Sequence, residues 1–309
     1  MFIYKVTEKN KYLNIKELLK SHYNMSDKLI SKLKRYKRIF KNNEPAYVTA
    51  VLLENDIIEV DLDFDEEDEN NILPINHELN ILYEDEYLLV INKEPGFPIH
   101  PSNMHHEDTI SNFVKYHFDK NNIKRKIRPV NRLDKNTSGI TIFSKSDYIQ
   151  DILIKQMNLN LLTKEYLAIT NNIPEKSEGI INAPIARKYG SIIEREVTFE
   201  TNNNLPIDYK PQDAKTEYKV IKTCKDKNLS LIRYKLLTGR THQIRLHSKY
   251  INCPLLGDDL YNKKSDLINR QALHSTYMSF IHPITKERLE ITANLPKDME
   301  DILNQFNFI

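Results

Sequence analysis

One stretch of this 309-residue chain gathers side chains able to act on a substrate. It is Asn131-Arg132-Leu133-Asp134-Lys135-Asn136-Thr137-Ser138-Gly139, followed by the apolar Ile140-Thr141-Ile142-Phe143. An acid in a polar loop just ahead of a strand is held by a rigid scaffold and stays reachable. A carboxylate so placed can attack an electrophilic carbon or stabilise the charge left when a group departs from a sugar carbon. In isolation a plainer reading is stronger: Asp134 orders its own turn through Thr137 or Ser138. Metal chemistry is disfavoured. The ten histidines are scattered, His105-His106 alone cannot complete a zinc site, and Cys224 and Cys253 have no metal-like spacing. With no nucleotide-binding loop either, neither metal nor cofactor is expected.

The loop has company. Upstream stand Leu79-Asn80-Ile81-Leu82-Tyr83, Leu88-Leu89-Val90-Ile91-Asn92-Lys93-Glu94-Pro95-Gly96 and His100-Pro101. Downstream come Lys164-Glu165-Tyr166 and Thr238-Gly239-Arg240-Thr241-His242-Gln243-Ile244-Arg245-Leu246-His247, then Pro254-Leu255-Leu256-Gly257-Asp258 and His282-Pro283. The chain has only six glycines, and Gly96, Gly139, Gly239 and Gly257 all fall in these blocks. A chain that otherwise avoids glycine has placed it where backbone turns sharply or approaches a partner closely. In this order, over residues 79–297, the blocks closely resemble the RluA family of pseudouridine synthases.

The resemblance implies an enzyme that isomerises uridine in RNA: the base is detached from ribose, turned and rejoined through carbon 5. Atoms and oxidation state are conserved, so no cofactor is required. Asp134 matches the family's catalytic Asp, acting by attack on the ribose carbon or by stabilising the charge left by the departing base. Burial raises a carboxyl pKa, so a cation must hold Asp134 ionised. The resemblance nominates Arg245, in a bidentate pair that also orients the carboxylate. Arg240 is the runner-up for that role, and otherwise a phosphate contact. Tyr166 is implied to stack on the target uracil, with its hydroxyl near the proton lost from carbon 5. Arg132 is implied to enter the space left when the uridine flips out. That extrusion costs a few kcal/mol, and a guanidinium suits the vacancy because it stacks and pairs with phosphate. Asn131 stands where the family has His, and Glu94-Pro95 replaces the family's Pro-Ala before Gly96.

These groups need a scaffold. Ile81-Leu82-Tyr83, a turn at Asp85-Glu86 and Leu88-Leu89-Val90-Ile91 read as a hairpin. Strands are expected at 139–143, 164–170, 216–223 and 230–237, with helices near 146–157 and 241–250. Strands and helices without regular alternation predict an α+β fold, with the mixed, mainly antiparallel sheet of the pseudouridine synthase type. Ahead of it, residues 1–62 read as a small α+β domain. A short helix carries Leu13, Leu18 and Leu19; Ser26-Asp27 caps a second carrying Leu29, Ile30 and Leu33; Asn42-Asn43 is a tight turn; Tyr47-Val48 and Ile57-Ile58-Glu59-Val60 are strands. The arrangement resembles the alpha-L RNA-binding motif of a small-subunit ribosomal protein, with Asn55-Asp56 where that family has Gly-Asp. Residues 63–78, with Asp65-Glu66-Glu67-Asp68-Glu69, read as an acidic linker free to move. Residues 79–309 form the catalytic domain.

Net charge is only +2, but its distribution is uneven. Residues 1–50 carry Lys32, Lys34, Arg35, Lys37, Arg38 and Lys41, and a second basic cluster, Lys124-Arg125-Lys126 with Arg128, precedes Arg132. Segregation of this kind suits a polyanion partner, and Lys32, Arg35, Lys37 and Arg38 are the candidate RNA contacts of the N-terminal domain. By analogy the substrate is large-subunit ribosomal RNA, with transfer RNA as the alternative. No apolar run approaches the roughly 20 residues that span a bilayer, and Met1-Phe2-Ile3-Tyr4-Lys5 lacks a signal peptide's apolar core. A cytoplasmic monomer with no membrane partner is expected. Two rivals remain. A non-catalytic RNA-binding protein could keep the fold without the chemistry. A glycosidase would need a second catalytic carboxylate, for which Asp258 alone is convincingly placed, and the chain has no Trp to stack on sugars.

Overall fold

A computed structural model of the chain describes residues 1–8, 12–62, 72–102, 105–200, 206 and 209–309. Near the N-terminus, β1 (Phe2–Lys5), β2 (Ile39–Lys41), β3 (Glu44–Pro45) and β4 (Ile57–Val60) form a four-stranded sheet in the order β1-β4-β2-β3. Two helices pack on it, α1 (Ile15–Ser21) and α2 (Asp27–Arg35). Asn14 caps α1 by accepting from the Glu17 N–H, and Ser26 caps α2 by accepting from the Leu29 N–H, which gives acceptors to N–H groups that a helix start leaves unpaired. Leu18 and Leu19 are buried as expected, whereas Leu13 precedes the helix and is 75% exposed. The strand expected at Tyr47-Val48 lies earlier, at Glu44–Pro45. Asn42 and Asn43 both take positive φ, which brings Lys41 opposite Glu44. Proline then ends the ladder, and the carbonyls of Val48 and Ala50 turn to accept from the first residues of α1. Asn55 has φ of 67°, so an asparagine meets the left-handed geometry where the resemblance called for glycine.

A second sheet of ten strands carries the rest. Its main path runs β10 (Glu178–Asn182), β13 (Lys215–Cys224), β14 (Leu229–Leu236), β9 (Thr163–Asn171), β15 (Leu273–Ile281), β8 (Ser138–Ser144), β6 (Leu88–Lys93) and β5 (Ile81–Glu84). Beside it, β7 (Arg128–Pro129) pairs with β8 and β16 (Arg288–Thr292) with β15, while β11 (Ile185–Arg187) and β12 (Arg195–Val197) make a separate ribbon. Every pairing is antiparallel except β8 with β15. The fold is α+β.

The central strands are apolar on both faces. Leu88 and Val90 join a core with Ile149 and Leu153 of α4 (Asp147–Asn158), while Leu89 and Ile91 face Phe113 and Phe118 of α3 (Ile110–Lys120). Strand side chains alternate with period two, so a strand covered on both sides reads as a continuous apolar run. On the outer part of the sheet, α5 (Gln243–Tyr250) packs beside Tyr166, Ile232 and Tyr234, and α6 (Lys297–Gln305) beside Ile169 and Leu231.

The N-terminal unit does not hang free. Leu29, Leu33, Ile149 and Ile140 belong to one continuous core, Ser26 donates to Asp151, and Lys32 pairs with Asp147 of α4. Residues 63–71 of the acidic stretch lie outside the described residues. Residues 72–78 correct the expectation of a free linker: Ile72 is buried, and Asn112 of α3 donates to the Leu73 carbonyl while accepting from Ile75 N–H at its own carbonyl.

Candidate active site

The parallel junction of β8 and β15 builds the site. Ser275 of β15 sits opposite Gly139 on one side and opposite Tyr166 of β9 on the other. Gly139 has φ of 110°, and a Cβ there would lie 2.2 Å from the Ser275 carbonyl oxygen. Only glycine lets the loop that carries Asp134 enter the sheet this closely. The loop is tied by its backbone. Thr137 N–H donates to the Asp134 carbonyl, Lys93 Nζ and Gly96 N–H both donate to the Lys135 carbonyl, and Arg270 donates to that of Asn136. The Asp134 side chain takes no part in this turn among the described residues, which removes the turn-forming reading of that carboxylate.

Instead, the carboxylate faces a cavity of about 580 Å³ lined by Asp134, Arg132, Tyr166, Arg240, His242 and Arg245, among others. Arg245 Nη1 donates to Asp134 Oδ2 at 3.3 Å. The bidentate pair expected between these two is formed elsewhere: Nε and Nη2 of Arg245 each reach Asp258 at 2.7 Å. Asp258 is fully buried and also accepts from the N–H groups of Leu260 and Tyr261. Burial works against the guanidinium, but Asp258 and then Asp134 outweigh it and raise the Arg245 pKa. Arg245 is therefore a fixed cation, gripped from behind by one carboxylate and offering its third nitrogen to another. Among the described residues, Asp134 Oδ1 accepts no hydrogen bond.

Tyr166 is buried at 5% exposure, and burial, with the Asp134 charge adding to it, drives its hydroxyl pKa far above the ordinary value. Arg132 is exposed and lines the cavity. Arg240 also lines it but donates Nε to the Asp213 carbonyl, so it is not the partner of Asp134. Asn131 answers for the missing histidine. Its Nδ2 donates to the Ile140 carbonyl and its Oδ1 accepts from Ile142 N–H, so its amide extends the β7–β8 ladder as a backbone unit would.

Two residues were not singled out from sequence. His242 stands 3.8 Å from Asp134 Oδ2. Lys93 is 1% exposed, and burial followed by Arg270 pushes its pKa down to about 7. Both lie inside quoted blocks, but nothing in their spacing sets them apart from their neighbours. Among the described residues, no N-terminal cation lines the cavity. Lys32 pairs with Asp147 and Arg38 with Asp61, while Arg35 and Lys37 are exposed.

Residues 87–250 match the model of the RNA pseudouridylate synthase family. The chain belongs to the RluA family of RNA pseudouridine synthases. It is thus an isomerase that forms pseudouridine in RNA. An uncharacterised RNA pseudouridine synthase of Bacillus subtilis is 37% identical over 266 residues, covering 86% of this chain and 89% of that one. The ribosomal large subunit pseudouridine synthase D of Blochmanniella floridana is 35% identical over 250 residues, covering 75% and 74%. The solved structure of human RNA pseudouridylate synthase domain containing 4 shares the fold, with a TM-score of 0.60 at 22% identity over 74% of this chain and 94% of that one. No helix among the described residues is long and apolar enough to cross a membrane, and no group of three or more His, Cys, Asp or Glu among them could hold a metal ion.

Proposed function

We propose that this synthase uses Asp134 as its nucleophile on a uridine flipped out of large-subunit ribosomal RNA. The observation that carries the reading is the single bond from Arg245 to Asp134 Oδ2, which fixes the carboxylate and leaves Oδ1 without a partner among the described residues. A cavity of about 580 Å³ lies within the range of roughly 300–1,000 Å³ of small-ligand sites. That is room for one nucleotide taken out of its stack, not for a helix. Asp134 acts at the ribose carbon as the bond to uracil N1 breaks. The base turns, a bond forms from carbon 5 to the same ribose carbon, carbon 5 loses its proton and N1 gains one.

Tyr166 lies against this space. Burial keeps its hydroxyl protonated near neutrality, so its part is to stack and donate a hydrogen bond rather than to take up the carbon 5 proton. Arg132, exposed at the cavity, fills the vacated stack, and Arg240 lies by the flanking phosphates. The ribosomal substrate is supported by relatives named for the large subunit. The N-terminal unit, in this reading an alpha-L type RNA-binding domain, adds backbone contacts through Arg35 and Lys37.

The test is turnover of an unmodified large-subunit ribosomal RNA transcript, with pseudouridine mapped after incubation. Asp134→Asn should abolish product while retaining RNA affinity. Unchanged yield in that variant excludes the nucleophile, and product only on transfer RNA excludes the substrate. Retained fold with no product from the native enzyme on either RNA would favour a non-catalytic RNA-binding protein.

A further inference from the structure

Two groups face the same oxygen of Asp134. Arg245 Nη1 lies 3.3 Å from Oδ2 and His242 Nε2 lies 3.8 Å from it. The histidine is held there against its backbone preference. His242 has φ of 58°, in the left-handed region, where it opens α5, and strain retained at such a place directs attention to function.

Its other ring nitrogen, Nδ1, is 2.8 Å from the Tyr261 hydroxyl. That hydroxyl accepts the Arg195 N–H at 2.9 Å and has one proton to give. Giving it to Nδ1 leaves the proton of a neutral imidazole on Nε2, the side that faces Asp134. Tyr261 also supports the other group on Oδ2. The Arg245 guanidinium lies 5.0 Å from its ring centroid, and its N–H donates to Asp258, the carboxylate that grips Arg245.

We propose that His242 is a positioning residue for pseudouridine formation: Tyr261 locks its ring with the proton on Nε2, which donates to Asp134 Oδ2 as RNA closes the site. Arg245 and His242 together then commit Oδ2 to the protein, so that Oδ1 alone is presented to the ribose. The inference rests on Asp134 being the nucleophile. A neutral donor suits this place. Burial pushes the His242 pKa down, Asp134 pulls the other way, and Arg245 and Arg195 add to the lowering. The gap of 3.8 Å is that of an open site, since catalytic hydrogen bonds are often long before substrate binds and tighten afterwards.

The experiment measures kcat and KM of the full-length enzyme on unmodified large-subunit ribosomal and transfer RNA transcripts, by tritium release from uridines labelled at carbon 5. His242→Ala, His242→Gln, Tyr261→Phe and the double variant His242→Ala/Tyr261→Phe are compared, with thermal melts of each. Turnover by the native enzyme that Asp134→Asn lacks carries the underlying reading; the His242 variants bear on this proposal alone. His242→Ala should lower kcat about tenfold or more, the scale of removing a supporting hydrogen bond, with KM unchanged. His242→Gln, which keeps an N–H donor, should recover part of that loss. Tyr261→Phe should lower kcat in the native background and have little effect once His242 is alanine. Unchanged kcat in His242→Ala, no recovery with glutamine, or additive losses in the double variant would each overturn the proposal. Should His242→Ala fail to fold, Tyr261→Phe with native kcat overturns it equally.

Discussion

The cavity and the N-terminal unit are both rich in cations, but they hold them differently. In the cavity, Arg245 is buried, bonded twice to Asp258 and once to Asp134, so its charge is fixed in direction and shielded from water. In the N-terminal unit, Arg35 and Lys37 stand exposed, while Lys32 and Arg38 are drawn into ion pairs with Asp147 and Asp61. A cation fixed by carboxylates orients chemistry, and an exposed one attracts a polyanion over a Debye length. Lys32 is a third kind: from α2 it fastens the N-terminal unit to Asp147 at the start of α4.

Arg245→Met should strike hardest. It leaves Asp258 buried without its partner, a loss of about 3–5 kcal/mol in stability, and kcat should fall about a hundredfold or more. A melt and a turnover assay read the two effects separately, and native turnover would break the contrast between fixed and exposed cations. Arg132→Ala comes next. Losing a stacking cation at the vacated position should lower kcat/KM about tenfold, since flipping costs a few kcal/mol, with the melting temperature unchanged.

Arg35→Ala with Lys37→Ala should then weaken RNA binding and reduce the slope of log affinity against log salt by about one for each phosphate no longer neutralised. Lys32→Ala should leave that slope alone and lower the melting temperature. A fall in slope with Lys32→Ala would erase the division drawn within the N-terminal unit. The last effect is confined to acid pH and lies in the catalytic sheet. His274 of β15 is fully buried, and burial lowers its pKa to about 4 from 6.5. The unfolded chain therefore takes up a proton that the folded one refuses. Stability from this group is complete above pH 6.5 and is lost as pH falls towards 4, by up to about 1.4 kcal/mol per pH unit. His274→Gln should flatten that part of the pH–stability curve, followed by urea melts.

Much of the scaffold was legible. The strands at Ser138–Ser144, Thr163–Asn171, Lys215–Cys224 and Leu229–Leu236 and the helices at Asp147–Asn158 and Gln243–Tyr250 lie within a few residues of where apolar runs and caps place them. Strand β15 was not seen, although it joins the Asp134 loop to Tyr166. Its His274, Ser275 and Ser279 are buried yet polar, so its run of residues lacks the apolar signature of a central strand. The Tyr47-Val48 strand was misplaced because the carbonyl of Tyr47 accepts from Ala50 N–H in a turn and that of Val48 from the start of α1, uses that propensity does not encode.

By itself the sequence determined the family, the α+β class and the residues around the cavity, because ordered blocks of glycine, charge and apolar runs carry that information locally. Which oxygen of Asp134 is held, that Asp258 takes both arms of the Arg245 fork, that Asn131 completes a ladder and that Lys32 faces inward were decided only by the tertiary structure. Each depends on groups far apart in the chain: Asp134 and Arg245 are separated by 111 positions, Lys32 and Asp147 by 115. Hydrogen-bond partners and burial set the work of a charged side chain, and both exist only once the sheets have closed.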